Sequence, residues 1–298
     1  MQMGEIIAFG GGKGGSGKSF LISLAGSLLA AAGKKVVLVD LDLGAANLHS
    51  FFGISASKPG LQDFMEGRTA SLADCCLQTP ISRLFLISSK GCTAHVADLP
   101  AGWVQRLIQG FRTLPHDCIL LDLGAGTYKN NLDFFLAASR GVLVTTPEPT
   151  AVENLFRFIH ALFMRKIRAH VGDGGLRELT RICLASKPAN AIRPLDMARA
   201  LEAREPEAAR KLIADIEGMR LYLLLNQVRK TMDAEVAAQL MGFYPKLFGS
   251  VFSLGAVVSH GEEVNEAIMS REPFLKKYRS HTITRQVMGL ARQLLSDR

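Results

Sequence analysis

Paired cysteines are missing from this sequence. Its five, Cys75, Cys76, Cys92, Cys118 and Cys183, form no C-x-x-C pair. That excludes the usual thiolate metal site and a disulfide framework, leaving reduced thiols that pack as small apolar groups. Adjacent Cys75 and Cys76 are either reactive or simply packed, and packing is the expected state. No uninterrupted apolar run reaches the ~18 residues that would cross a bilayer. Met1–Gly10 has no basic leader, so a cytoplasmic location is expected, with no signal peptide. The four tyrosines, Tyr128, Tyr222, Tyr244 and Tyr278, form no terminal cluster, and the histidines, among them His49, His95, His116 and His160, show no metal-ligand spacing.

What is present is a 298-residue chain, 48% hydrophobic and 21% charged, with a net charge of +8. The charge is uneven. Residues 1–156 are balanced, and the basic excess lies in residues 157–220 and 271–298. Such patches hold an anionic polymer or lipid surface, or are solvated helical faces.

Short apolar runs alternate with helix-period stretches. Glu5–Phe9, Lys35–Asp40, Leu84–Ser88, Cys118–Asp122, Gly141–Thr145, Leu221–Asn226 and Ser250–Val257 read as strands. Ser19–Ala32, Trp103–Leu114, Val152–Arg165 and Asp233–Met241 read as helices. This alternation predicts an α/β fold: a doubly wound, mostly parallel sheet with helices on both faces, in one domain spanning 1–298. Residues 168–218 break the rhythm, with Gly172-Asp173-Gly174-Gly175 as an interruption and Pro188 and Pro194 in a connector. They are expected to form a helical insertion on the sheet, since ~50 residues make a poor independent core.

The decisive segment is Gly12-Lys13-Gly14-Gly15-Ser16-Gly17-Lys18-Ser19, which fits G-x-x-x-x-G-K-[ST] between a predicted strand and a predicted helix. Glycines let backbone N–H groups curl around phosphate oxygens, and the helix N-terminus adds its positive end. Lys18 is expected on the β- and γ-phosphates and the Ser19 hydroxyl on Mg²⁺. Ile119-Leu120-Leu121-Asp122 reads as the strand whose Asp122 carboxylate supports that ion.

Lys13 adds a second lysine, K-G-G-x-G-K-[ST]. With it the chain resembles the MinD/ParA superfamily of dimerising ATPases. The resemblance implies ATP/ADP and Mg²⁺ as ligands and an ATP-dependent homodimer, with Lys13 reaching the partner subunit's phosphates. Within Asp40–Leu48 it implies that Asp42 positions the attacking water and that Asp40 supports the Mg²⁺ region. Leu123-Gly124-Ala125-Gly126 would be a mobile switch. Asn226 would read the adenine edge, with a strand-end turn cap as the alternative.

Asp40–Leu48, Leu61–Phe64, Asp122–Gly126, Thr145–Ala151 and Val264–Ile268 look most like the FlhG branch, which sets flagellar number and position. The resemblance runs through most of the chain outside 168–218. It departs at Ser259-His260-Gly261-Glu262-Glu263, which lacks the branch's common aspartate. An unknown regulatory protein partner is implied. A last helix over 282–298 would place Ile283, Val287, Leu290, Leu294 and Leu295 on one face. That face is expected either to dock on acidic lipid or to pack on its own sheet. The competing functions are a partition ATPase holding DNA non-specifically and a nucleotide-gated scaffold that barely hydrolyses.

Overall fold

The computed structural model describes residues 4–55, 59–92, 99–185, 192–249 and 251–296. His95, Pro188, Ser250 and the last two residues therefore lie outside the described residues. Eight strands form one sheet in the order β3-β4-β2-β5-β1-β6-β7-β8. They are β1 (Glu5–Gly10), β2 (Val36–Leu41), β3 (Leu77–Gln78), β4 (Leu84–Ile87), β5 (Cys118–Leu123), β6 (Arg140–Thr145), β7 (Leu221–Val228) and β8 (Phe252–Ser259). Every pairing is parallel except that of the short edge strand β3 with β4.

Alternation along the strands splits the interior into two layers. Ile6, Ala8, Val37, Val39 and Leu121 join one core, whereas Ile7, Phe9, Val36, Leu38 and Leu120 join the other. Both faces are buried, which is why these strands read as continuous apolar runs. The second core is roofed by α1 (Lys18–Ala31), by Phe274 at the head of α10 (Phe274–Lys277), and by α11 (Thr282–Ser296). α9 (Glu262–Ser270) adds Ala267 to it. The first core lies under α2 (Leu61–Met65), α3 (Ala101–Thr113), α4 (Lys129–Ala137), α5 (Pro149–Leu184), α6 (Pro194–Glu202), α7 (Pro206–Glu217) and α8 (Thr231–Phe248).

The glycine-rich interruption does break the helix, since Gly172 is non-helical and two helical stretches meet there at a kink. α5 turns at Gly172 (φ 68°, ψ −179°) and resumes to Leu184. The resumed part buries Leu176, Leu179 and Cys183 in the same core as Leu212 and Ile216 of α7. The positive φ at Gly172, which glycine adopts without steric cost, turns the chain so that both stretches pack on that core. α8 runs past its expected end, through Pro245, because Tyr244 and Phe248 are both buried.

α11 settles one alternative. Ile283, Val287, Leu290 and Leu294 are all buried against β8 and α1, so the apolar face proposed for lipid is already covered by the protein's own fold. Arg140 further pins the helix, its Nη1 donating to the Leu294 carbonyl at 2.6 Å. Among the described residues no helix is long and apolar enough to cross a membrane. None of the five cysteines is in a disulfide, and burial raises the Cys75 thiol and pushes Cys76 up to about 11, which disfavours the thiolate at both.

Candidate functional site

β1, β2 and β5 end side by side at one edge of the sheet, and the phosphate-type loop leaves from β1. Gly17 enters α1 with φ +85°, a conformation that favours glycine, and a Cβ there would lie 2.3 Å from Asn226 Nδ2. The turn directs Lys18 inward. It is buried, and its Nζ donates to the Lys13 carbonyl at 3.4 Å. Burial lowers the Lys18 pKa, while Asp122 and Asp42 oppose that shift.

The register of β2 and β5 sets Asp40 directly beside Asp122. Parallel neighbours in register project to the same side, so the two carboxyls share one buried place. Burial raises both pKa values. The facing Asp122 charge adds to the rise of Asp40, and Asp42 to that of Asp122. Asp40 accepts from the backbone N–H of Asp42 and of Leu48, each at 3.2 Å. It thus braces the turn after β2. Asp122 is hydrogen-bonded by the Ser19 hydroxyl, yet its Oδ1 is buried with no partner, as is Ser16 Oγ. Asp42 sits against Gly124, where a Cβ would be 3.1 Å from its Oδ1.

Two carboxyls, Asp42 and Asp122, act on Lys18, and an orphaned buried oxygen beside a serine hydroxyl is a fitting place for a small hard cation. Among the described residues no cluster of three or more His, Cys, Asp or Glu side chains makes an all-protein metal site. Mg²⁺ takes one or two protein ligands and fills the rest with phosphate and water, and Ser19 and Asp122 are the residues that could hold it. Asp40, also expected near the ion, has both oxygens engaged by backbone N–H groups and serves as a brace.

The cleft in front of these groups measures about 740 Å³ and is lined by Gly14, Lys18, Ser19 and Asp42. Asn226, Gln227, His260 and Val264 also line it. The Asn226 side-chain donor differs from its expected use. Its Nδ2 binds the Ser16 carbonyl at 2.9 Å, bracing the loop.

Two partners of the loop were not foreseen. Gln227, with φ +61°, donates to the Gly15 carbonyl at 2.9 Å. Glu148 accepts from Lys13 Nζ at 3.1 Å, and Thr146 holds the same carboxylate at 2.6 Å. The Thr146 hydroxyl and Lys13 both hold the Glu148 carboxyl below its usual range. Lys13 is thus on the rim, 39% exposed, while Lys18 points inside. The only sequence signals were that Gln227 follows Asn226 and that Glu148 lies within the Thr145–Ala151 stretch.

The chain is similar to the Antiactivator FleN of Pseudomonas aeruginosa, 32% identical over 160 residues, covering 53% of this chain and 56% of the relative. It is also 32% identical to the septum site-determining protein MinD of Bacillus subtilis over 165 residues, covering 54% of this chain and 60% of that one. The matches thus span little more than half the length of these relatives. The septum site-determining protein MinD of Pyrococcus horikoshii, solved with Mg-ADP, shares the fold with a TM-score of 0.63 at 18% identity, over 99% of this chain and 97% of that one. The CobQ/CobB/MinD/ParA nucleotide binding domain matches residues 7–274, nearly the whole chain, and the protein belongs to that family.

Proposed function

We propose that this protein is an ATP-driven dimerising switch of the MinD/FlhG type, with Mg²⁺-dependent hydrolysis that reopens the dimer. The observation that carries the reading is the division of labour between two lysines of one loop. Lys18 is buried beside Asp122 and Asp42, and Lys13 stands on the rim in an exchangeable contact with Glu148.

In this reading the loop N–H groups and Lys18 hold the β- and γ-phosphates in one subunit. Ser19 and Asp122 hold Mg²⁺, which when bound neutralises charge on the phosphate oxygens. Asp42, kept in place by Asp40 and Gly124, orients a water in line with the γ-phosphate. Lys13 leaves Glu148 and reaches the second copy's phosphates, so that charge developing in the transition state is stabilised across the interface. An exposed ion pair such as Lys13–Glu148 contributes ~1 kcal/mol or less, so the lysine moves at little cost. ADP lacks the γ-phosphate, which makes the dimer ATP-dependent.

The names of the relatives, an antiactivator and septum site-determining proteins, support a regulatory task, and positioning of flagella or another cell structure fits the branch. A protein partner and an ATP-dependent surface follow from the same reading. With the apolar face of α11 covered, that surface is sought elsewhere than on this face. Light scattering with ADP, with ATP, and with ATP on Asp42→Ala tests the switch. A dimer with ATP only, more persistent in the variant, is the expected result. Tight ATP binding with a monomer throughout would overturn the role of Lys13. Co-sedimentation of the ATP-bound form with liposomes or with DNA then separates a positioning role from partition.

A further inference from the structure

The cleft has a second wall whose support comes from the far end of the chain. The phosphate loop closes one end, so a nucleotide extends along the C-terminal ends of β7 and β8, as ligands of parallel sheets do. Its base then lies against Asn226, Gln227 and the turn Ser259-His260-Gly261, all of which line the cleft. That turn is the segment in which this chain departs from its branch.

Its backbone is fastened on both sides. The His260 N–H donates to the Val228 carbonyl at 2.9 Å, which ties the turn to β7. On the other side Gln286, in α11, holds Ser259 through both ends of one amide. The Ser259 N–H donates to Gln286 Oε1 at 3.0 Å, and Gln286 Nε2 donates to Ser259 Oγ at 2.9 Å. Two residues along, Gly261 lies so close to α11 that a Cβ would sit 3.0 Å from Ile283 Cδ1. α11 in turn is fixed, since Gln293 Nε2 donates to the Leu254 carbonyl at 3.1 Å and Ile283, Val287 and Leu290 are buried. A planar amide satisfying donor and acceptor of one residue leaves that residue little freedom.

We infer that Gln286 is a positioning residue for the base of the bound nucleotide: it fixes the Ser259–Gly261 wall and so ties the C-terminal helix to nucleotide occupancy. This rests on the nucleotide reading of the cleft. Gln286 does not touch the nucleotide. It acts through Ser259, and by linkage a ligand that needs the wall also stabilises the helix behind it.

The test separates base from phosphate. Affinities of the full chain for ATP, ADP and inorganic tripolyphosphate are measured at fixed Mg²⁺ for wild type, Gln286→Leu, Gln286→Glu and Ser259→Ala. Gln286→Leu keeps the side chain's bulk and removes both bonds. It is expected to weaken ATP and ADP about fivefold, the worth of one net hydrogen bond, with tripolyphosphate within about twofold. Gln286→Glu accepts from both the Ser259 N–H and its hydroxyl and is expected to restore most of the loss. Ser259→Ala, a milder change that covers failure of the leucine variant to fold, shifts the same ratio by about twofold.

A purely structural glutamine would lower Tm and leave the ATP-to-tripolyphosphate ratio at the wild-type value, and that result overturns the inference. Should wild type bind tripolyphosphate and ATP equally well, the base makes no use of the wall, and the inference again falls. Absence of binding of either ligand to wild type would instead remove the nucleotide reading on which it rests.

Discussion

At the phosphate end of the cleft one unbroken stretch, Gly12–Ser19, supplies the loop and the inward lysine, and the ends of β2 and β5 add the carboxyls. At the base end the wall is assembled from β7, the turn after β8, α9 and, behind them, α11, residues far apart in sequence. The first region is built from local turns and adjacent strands. The second exists only once β8 has paired with β7 and α11 has packed on both. The phosphate end is therefore expected to carry most of the affinity and the chemistry. The base end selects which ligand is held and reports that ligand to the C-terminus.

The largest effect that can break this contrast comes from Lys18→Ala. It removes a buried charge aimed at the phosphates, and ATP and tripolyphosphate affinities are expected to fall together by about 100-fold or more. Loss of ATP alone would move the anchor to the base end. Asp42→Ala follows, with single-turnover hydrolysis down on the order of 100-fold and ATP affinity within about twofold. An equal loss in binding would mean that Asp42 shapes the cleft without orienting water.

Asn226→Ala sharpens the boundary between the two ends, because Asn226 lines the base end but grips Ser16 of the loop. If that grip is its main role, ATP and tripolyphosphate titrations both weaken, by about fivefold. Weakening confined to ATP would restore Asn226 as a reader of the adenine edge.

The smallest effect is one of pH. Burial raises the Asp40 and Asp122 carboxyls above the ordinary value of 3.8. A raised carboxyl contributes stability that is complete below its unfolded value and lost as pH rises through its folded one. The ligand-free protein therefore carries a growing penalty from this pair as pH rises above 3.8. Asp122→Asn, neutral throughout, is expected to gain on wild type in Tm by a few degrees, about 1 kcal/mol, toward alkaline pH. A difference in Tm that is flat with pH would show that the pair ionises without cost.

Much of the fold was legible because buried parallel strands and a phosphate loop leave strong local patterns. Val36–Val39 and Ile119–Leu121 could only be strands in a sheet covered on both faces. The spacing of Gly12, Gly17, Lys18 and Ser19 pointed to an anion cradle before any partner was known. Elsewhere local signals were incomplete. Gly172–Gly175 marked a real kink at Gly172, but not that the stretch after it would bury Leu176 and Leu179 in the same core. Asn226 was identified as a cleft residue, but its amide faces the loop. α11 carried an amphipathic pattern that fits lipid and protein equally, since hydrophobic periodicity identifies a face and not what covers it.

By itself the sequence determined the alternation of strands and helices and the anion-binding loop, because each depends on residues within a few positions of one another. Only the tertiary structure decided that Asp40 faces Asp122, that Lys13 rests on Glu148, that Asn226 and Gln227 grip the loop, and that Gln286 stands behind the base-side wall. Those contacts join residues brought together by sheet register and helix packing, and their geometry is set when the two cores close on the sheet.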